Sequence, residues 1–236
     1  MTDFNFAGVV LTDSPEVLAT EGAYAKIPFI IGDQEDEGTL FSLAVSNLST
    51  TADLVSYLKT IFFYDATVSQ IQELVDSYSE DPSAGSPYNT GILNEIYPQY
   101  KRIASLFGDI VFILTRRAFL SVANTVNPDV PNWSYLASYD YGTPILGTFH
   151  ASDILTAYGI TPGFASQSIQ KYYISFINSL DPNQGTSGVP TWPQWSEGNE
   201  LLHFLALSNG LITDDFRNES YTVLVGQGLQ NTPFRI

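Results

Sequence analysis

The chain holds two histidines, no cysteine and one dense acidic run, "GDQEDEGTLF" over 32–41. Carboxylate and imidazole together suit acid–base work. The carboxylate holds one imidazole tautomer and stabilises the charged ring while the other nitrogen moves a proton. Glu37 and His150 each follow a segment that reads as a strand, and the acid precedes the histidine. That is one of the chain orders found in Ser–acid–His triads. The nucleophile of such a triad has no counterpart: no GxSxG occurs, and "GTSG" at 185–188 is a loop with the wrong spacing. The second histidine, His203 in "ELLHFLAL", lies within an apolar run and reads as a structural residue.

Other chemistries are poorly served. Without cysteine there is no disulfide, thiolate metal site or thiol nucleophile. The acidic run lacks the DxDxDG spacing of a calcium loop, and no HExxH or HxH pair is present, so no metal is expected. A formal net charge of −16 over 236 residues repels phosphate backbones and disfavours nucleic acid. Only 14% of residues are charged, while 14 tyrosines and 15 phenylalanines are present, a composition that folds around an aromatic core. The longest apolar stretch is broken by Asp109 and by Arg116 and Arg117, so no transmembrane segment is expected. The opening "MTDFNFAGVV" has neither the basic region nor the long apolar run of a signal peptide and reads as a segment cut from a longer chain.

These residues need elements to place them. Residues 27–32 suit a short buried strand and 132–141 a second one. Helices are expected over 51–63, after a capping box at Thr67 and Gln70, and from about 96 to 123. The last of these is apolar on most sides and therefore buried. Another helix starts near Ala151. The segment 166–180 is amphipathic, with Ile169, Tyr173, Phe176 and Ile177 on one face. A hairpin is expected around Asn209-Gly210. Helices with a few dispersed strands mean an α/β class, with too few strands for a self-contained open sheet.

Four blocks, "GDQEDEGTLF", "GSPYNTGILNEIYPQYKRIASLFGDIVFILTRRAF", "PILGTFHASDI" and "WPQW…NELLHFLAL…DDFR", occur in this order. Together they resemble the C-terminal part of fungal type-B carboxylesterases and lipases, a group distantly related to cholinesterases. The resemblance runs along nearly all of the chain and covers under half of the family's catalytic domain. It implies the last strands and helices of an α/β-hydrolase fold, with residues 1–236 as one unit and the N-terminal half, with its nucleophile, oxyanion glycines and flap, absent.

Carried over by position, Glu37 in "DEGT" is the triad acid and His150 in "GTFHASD" the triad histidine. Asp153 falls where relatives place an acid near that histidine. Asn47 matches a glycosylation sequon, and Asn132 and Asn218 head two further sequons. The implied chemistry is hydrolysis of carboxylic esters, lipidic ones included, by a secreted protein with no cofactor. The other carboxylates of the run, Asp33, Glu35 and Asp36, are expected to face solvent or bind neighbouring backbone amides. Alone, such a chain would be inactive and would need its N-terminal half. The alternatives are a non-catalytic interaction protein on the same fold, or half of a two-chain enzyme.

Overall fold

The computed structural model describes residues 12–226; the N-terminal stretch discussed above lies outside them. In chain order the elements are α1 (Pro15–Thr20), β1 (Phe29–Gln34), α2 (Thr39–Ser42), α3 (Thr51–Ile61), α4 (Val68–Asp76), α5 (Tyr100–Gly108), a π-helical turn (Asp109–Ile113), α6 (Leu114–Val126), β2 (Asn132–Ala137), α7 (Asp153–Ala157), α8 (Phe164–Ser179), β3 (Glu200–Phe204), β4 (Asn209–Thr213) and α9 (Asn218–Gly226). Among the described residues the strands form one sheet in the order β1-β2-β3-β4. β1, β2 and β3 are parallel, and β4 returns antiparallel.

Side chains alternate across this sheet as the period of two requires. Trp133, Tyr135, Leu202 and Phe204 pack on one face with Tyr172 of α8 and Trp192. Leu136 and Leu201 pack on the other with Leu120 of α6 and Trp195. β2 is buried along its whole length, as the inner strand of a parallel sheet must be. A separate helical core gathers Leu54, Leu58, Ile71, Leu74, Ile103 and Ile110.

The capping box is present: the Thr67 hydroxyl accepts the Gln70 N–H, and the Gln70 side chain returns to the Thr67 N–H. β1 runs to Gln34, two residues further into the acidic run than expected, because its backbone stays paired with β2 as far as Ala137. The hairpin exists, but Asn209 and Gly210 lie within β4 and pair with Phe204 and His203. The turn is at Leu205 to Ser208, closed by the Leu205 N–H on the Ser208 carbonyl. On α8 the inner face is Ala165, Ile169 and Tyr172, whereas Ile177 is 76% exposed. The rest of the expected face is kept, since Tyr173 and Phe176 pack half-buried against the same core.

Glycine permits one close crossing that bears on the site. A Cβ on Gly38 would lie 2.0 Å from the Ala104 carbonyl oxygen and 2.5 Å from the Gly108 nitrogen. Both obstacles are backbone of α5, which cannot step aside. Gly38→Ala should therefore lower stability by about 1–3 kcal/mol, the cost of overpacking. A thermal melt indistinguishable from wild type would contradict this.

Candidate active site

The C-terminal ends of parallel strands are where side chains from successive loops converge. Glu37 lies just past the end of β1, and His150 lies in the segment that follows β2. Their side chains meet: Nδ1 of His150 is 2.6 Å from Oε2 of Glu37. The other carboxylate oxygen, Oε1, accepts the Gln34 N–H at 2.8 Å. Glu37 is buried, while the His150 side chain remains 39% exposed. A carboxylate acceptor at Nδ1 makes that nitrogen the protonated one and leaves Nε2 to take or give a proton. Ala151 turns the chain immediately afterwards at φ +68°, a conformation rarely adopted by residues with a side chain.

Two rings bracket the imidazole. Phe112 has its centroid 4.9 Å from that of His150, and Phe41 is at 5.1 Å. Phe112 belongs to the π-helical turn, which was read from sequence as part of one unbroken helix. Such turns are frequent at functional sites because the extra residue redirects a side chain. Phe41 and Phe112 also line an apolar pocket of about 370 Å³ together with Val45, Tyr57, Ile61 and Phe107. Neither phenylalanine was singled out from sequence; an aromatic residue near an acid has no distinguishing spacing.

The acidic run is resolved by giving each carboxylate its own partner. Asp33 is buried and binds Nε of Arg116 at 2.7 Å. Asp36 is buried and accepts from the Ser86 hydroxyl and from the Tyr88 and Thr148 amides. The expectation of backbone amides holds for Asp36. Asp33 departs from it, since its partner is a guanidinium 83 residues away. Burial pushes the Glu37 carboxyl up to about 7, against the stabilising Gln34 N–H, and pushes Glu35 up to about 7, with the Asp36 charge adding to the effect.

Glu35 provides a test of this picture. A folded-state value of about 7, above the ordinary 4.5, means that the native state holds more protons than the unfolded one between those values. Its contribution to stability is therefore greatest at acid pH and is lost as pH rises through about 7. Glu35→Gln, which cannot ionise, should raise the urea midpoint relative to wild type at pH 8 and flatten the pH dependence. An unchanged slope between pH 5 and 8 would refute the assignment.

The remaining sequence candidates fall elsewhere. His203 is half-buried on β3, with Nε2 2.8 Å from the Ser138 hydroxyl, and burial lowers its pKa. Asp153 opens α7, and among the described residues no hydrogen bond joins it to His150. Its charge is felt by Tyr135, Tyr139 and Tyr173. Asn132 is a correction. It is 1% exposed within β2, and its amide nitrogen donates to Asn124 and to the Val130 carbonyl, so a glycan has no access. Asn47 and Asn218 are exposed. Among the described residues no helix is long and apolar enough to cross a membrane, and no cluster of three metal-binding side chains is present.

A mostly parallel sheet flanked by helices, with an acid after one strand and a histidine after the next, defines the C-terminal portion of an α/β-hydrolase fold. The solved structure of Aspergillus niger EstA superimposes with a TM-score of 0.73 at 19% identity, covering 91% of this chain and 43% of that one. In sequence the chain is 53% identical over 220 residues to secreted lipase 1 of Botryotinia fuckeliana, and 39% identical over 214 residues to lipase 2 of Geotrichum candidum. No family profile matches. These likenesses bear out the resemblance to the C-terminal part of fungal lipases and carboxylesterases. The chain spans 38% of the length of the Botryotinia protein and 37% of the Geotrichum one, though 92% and 90% of its own length is matched.

Proposed function

We propose that these residues supply the acid, Glu37, and the general base, His150, of a Ser–Glu–His triad in a secreted carboxylic-ester hydrolase of lipase or esterase type. The serine would come from outside these 236 residues. The observation that carries this reading is the 2.6 Å contact between Glu37 Oε2 and His150 Nδ1, with the imidazole still accessible. The names of the relatives, secreted lipase 1 and lipase 2, support the reaction class and the secretion.

In that reaction the serine oxygen attacks the ester carbonyl and gives its proton to Nε2 of His150. Glu37 remains ionised and stabilises the imidazolium. His150 then returns the proton to the departing alcohol, leaving an acyl-serine. Water, deprotonated by the same nitrogen, releases the carboxylic acid. The apolar pocket behind Phe41 and Phe112 would take the acyl chain, and its size suits a small apolar ligand.

The test is turnover of p-nitrophenyl butyrate. The 236 residues alone should leave it intact, and a polypeptide that also contains the serine segment should hydrolyse it. Turnover by the chain alone that survived both Glu37→Gln and His150→Ala would overturn the reading.

A further inference from the structure

The contact between Glu37 and His150 is short, yet the sheet does not set it. Pairing of β1 with β2 ends at Gln34 and Ala137, with one more bond from the Glu35 N–H to the Ala137 carbonyl. After Ser138 the chain leaves the sheet and returns only at Thr148. Nothing in the strand register therefore fixes how deep His150 sits. Something past the strand end must tie the returning segment to the acid.

Asp36 makes that tie through backbone and side chain together. Its N–H donates to the Thr148 carbonyl at 2.9 Å, forming an isolated parallel bridge with Phe149. Its Oδ2 accepts the Thr148 N–H at 3.0 Å. Its Oδ1 accepts the Ser86 hydroxyl at 2.7 Å and the Tyr88 N–H at 3.0 Å, which anchors the arrangement to a third segment. The residue is 3% exposed. Space is reserved for it: Gly147 has φ +58°, and a Cβ there would lie 2.1 Å from Oδ2. Thr39, just beyond Glu37, adds a second link, its hydroxyl lying 2.8 Å from both the Asp36 and the Leu146 carbonyls.

We propose that Asp36 is the positioning residue of the Glu37–His150 pair, clamping the segment that carries the histidine to the segment that carries the acid. The clamp needs a carboxylate. Three donors converge on two oxygens, and an asparagine has only one. Whichever way the amide faces, its NH₂ meets either the Thr148 N–H or the Tyr88 N–H. What the clamp means for catalysis rests on the reading of Glu37 and His150 given above; the clamp itself is a statement about geometry.

The experiment uses the 236-residue chain with His203→Gln, which leaves His150 as the single imidazole. The readout is the hydrogen-bonded Nδ1 proton in a ¹H–¹⁵N spectrum. It should appear at low field in the parent chain and vanish in Glu37→Gln. In Asp36→Asn and in Gly147→Ala it should be lost or broadened beyond detection while circular dichroism shows a folded chain. Leu74→Ala, which hollows the helical core without removing any hydrogen bond of the clamp, should lower the melting temperature and keep the signal. Should Asp36→Asn fail to fold, Gly147→Ala decides, since it keeps the charge and displaces the carboxylate from the other side. A signal that persists in Gly147→Ala and in any folded Asp36→Asn overturns the proposal, as does its absence from the parent chain. Loss of the signal on schedule, together with no esterase activity in the longer polypeptide that contains the serine segment, would leave the clamp standing and remove the catalytic reading.

Discussion

In a polypeptide that joins these residues to the serine segment, His150→Ala should lower kcat by about 10⁵- to 10⁶-fold on a short p-nitrophenyl ester, with KM nearly unchanged. The imidazole carries the proton in both half-reactions, and no neighbouring base stands in for it. Among the described residues, the other histidine is bound to Ser138 on β3, away from the pair. Glu37→Gln should cost less, about 10⁴-fold, because it leaves the base in place but removes the acceptor that selects its tautomer. The rate should climb with pH through about 7, since burial raises the Glu37 carboxyl to that value and only the ionised form stabilises imidazolium. A His150→Ala protein retaining a tenth of the parent activity would show that the pair is structural.

The second large effect concerns stability. Arg116 is buried, with Nε on Asp33 at 2.7 Å, Nη1 on Asp214 at 2.8 Å and on the Ser134 hydroxyl at 2.9 Å, and Nη2 on Asp214 at 3.0 Å. Arg117 adds a bond from Nε to Asp214 at 3.0 Å, and its guanidinium lies over the Phe216 ring at 4.9 Å. Burial by itself would raise the Asp214 carboxyl, but the two arginines and Trp195 more than offset it and hold its pKa below the ordinary range. Arg116→Met strands Asp33 in the interior, leaves Asp214 with Arg117 and Trp195 alone, and should destabilise the chain by about 3–5 kcal/mol, read as a fall in the urea midpoint. That is a large share of the roughly 5–15 kcal/mol typical of a domain. Adding Asp33→Asn to Arg116→Met should restore much of the loss, because the penalty is unpaired charge rather than lost packing, and Asp214 keeps its pairing with Arg117. A single Arg116→Met change costing under about 1 kcal/mol would mean that the carboxylates take up protons or reach water at little cost.

Much of this architecture was legible in the residues. Periodicity placed α3, α4 and the long buried α5–α6 region, and the Thr67 capping box marked the start of α4. The β2 strand was visible in the alternation of "NWSYLASYDY" over 132–141, although it ends at Ala137. The π-helical turn was not, because one inserted residue leaves the apolar pattern of a wholly buried helix unchanged. The hairpin turn was misplaced because Asn-Gly favours tight turns by local chemistry, whereas pairing of Gly210 with His203 put that dipeptide inside a strand. On α8 the apolar spacing marked Ile169, Tyr173 and Phe176 as core-facing and misplaced Ile177, which is exposed.

The residue types and their order were determined by the sequence alone: an acid, a later histidine, no thiol, no GxSxG, and four blocks in the order of a known family. Their pairing was decided only by the tertiary structure. Glu37 and His150 lie 113 residues apart, Asp109 and Arg217 108 apart, and Arg116 and Asp214 98 apart. The physical reason is that a charge in the acidic run carries no local mark of its partner. Whether a carboxylate meets solvent, an amide, a guanidinium or an imidazole depends on which distant segment the sheet and helices fold against it. Burial then sets the energy of that choice, and burial is a property of the whole fold.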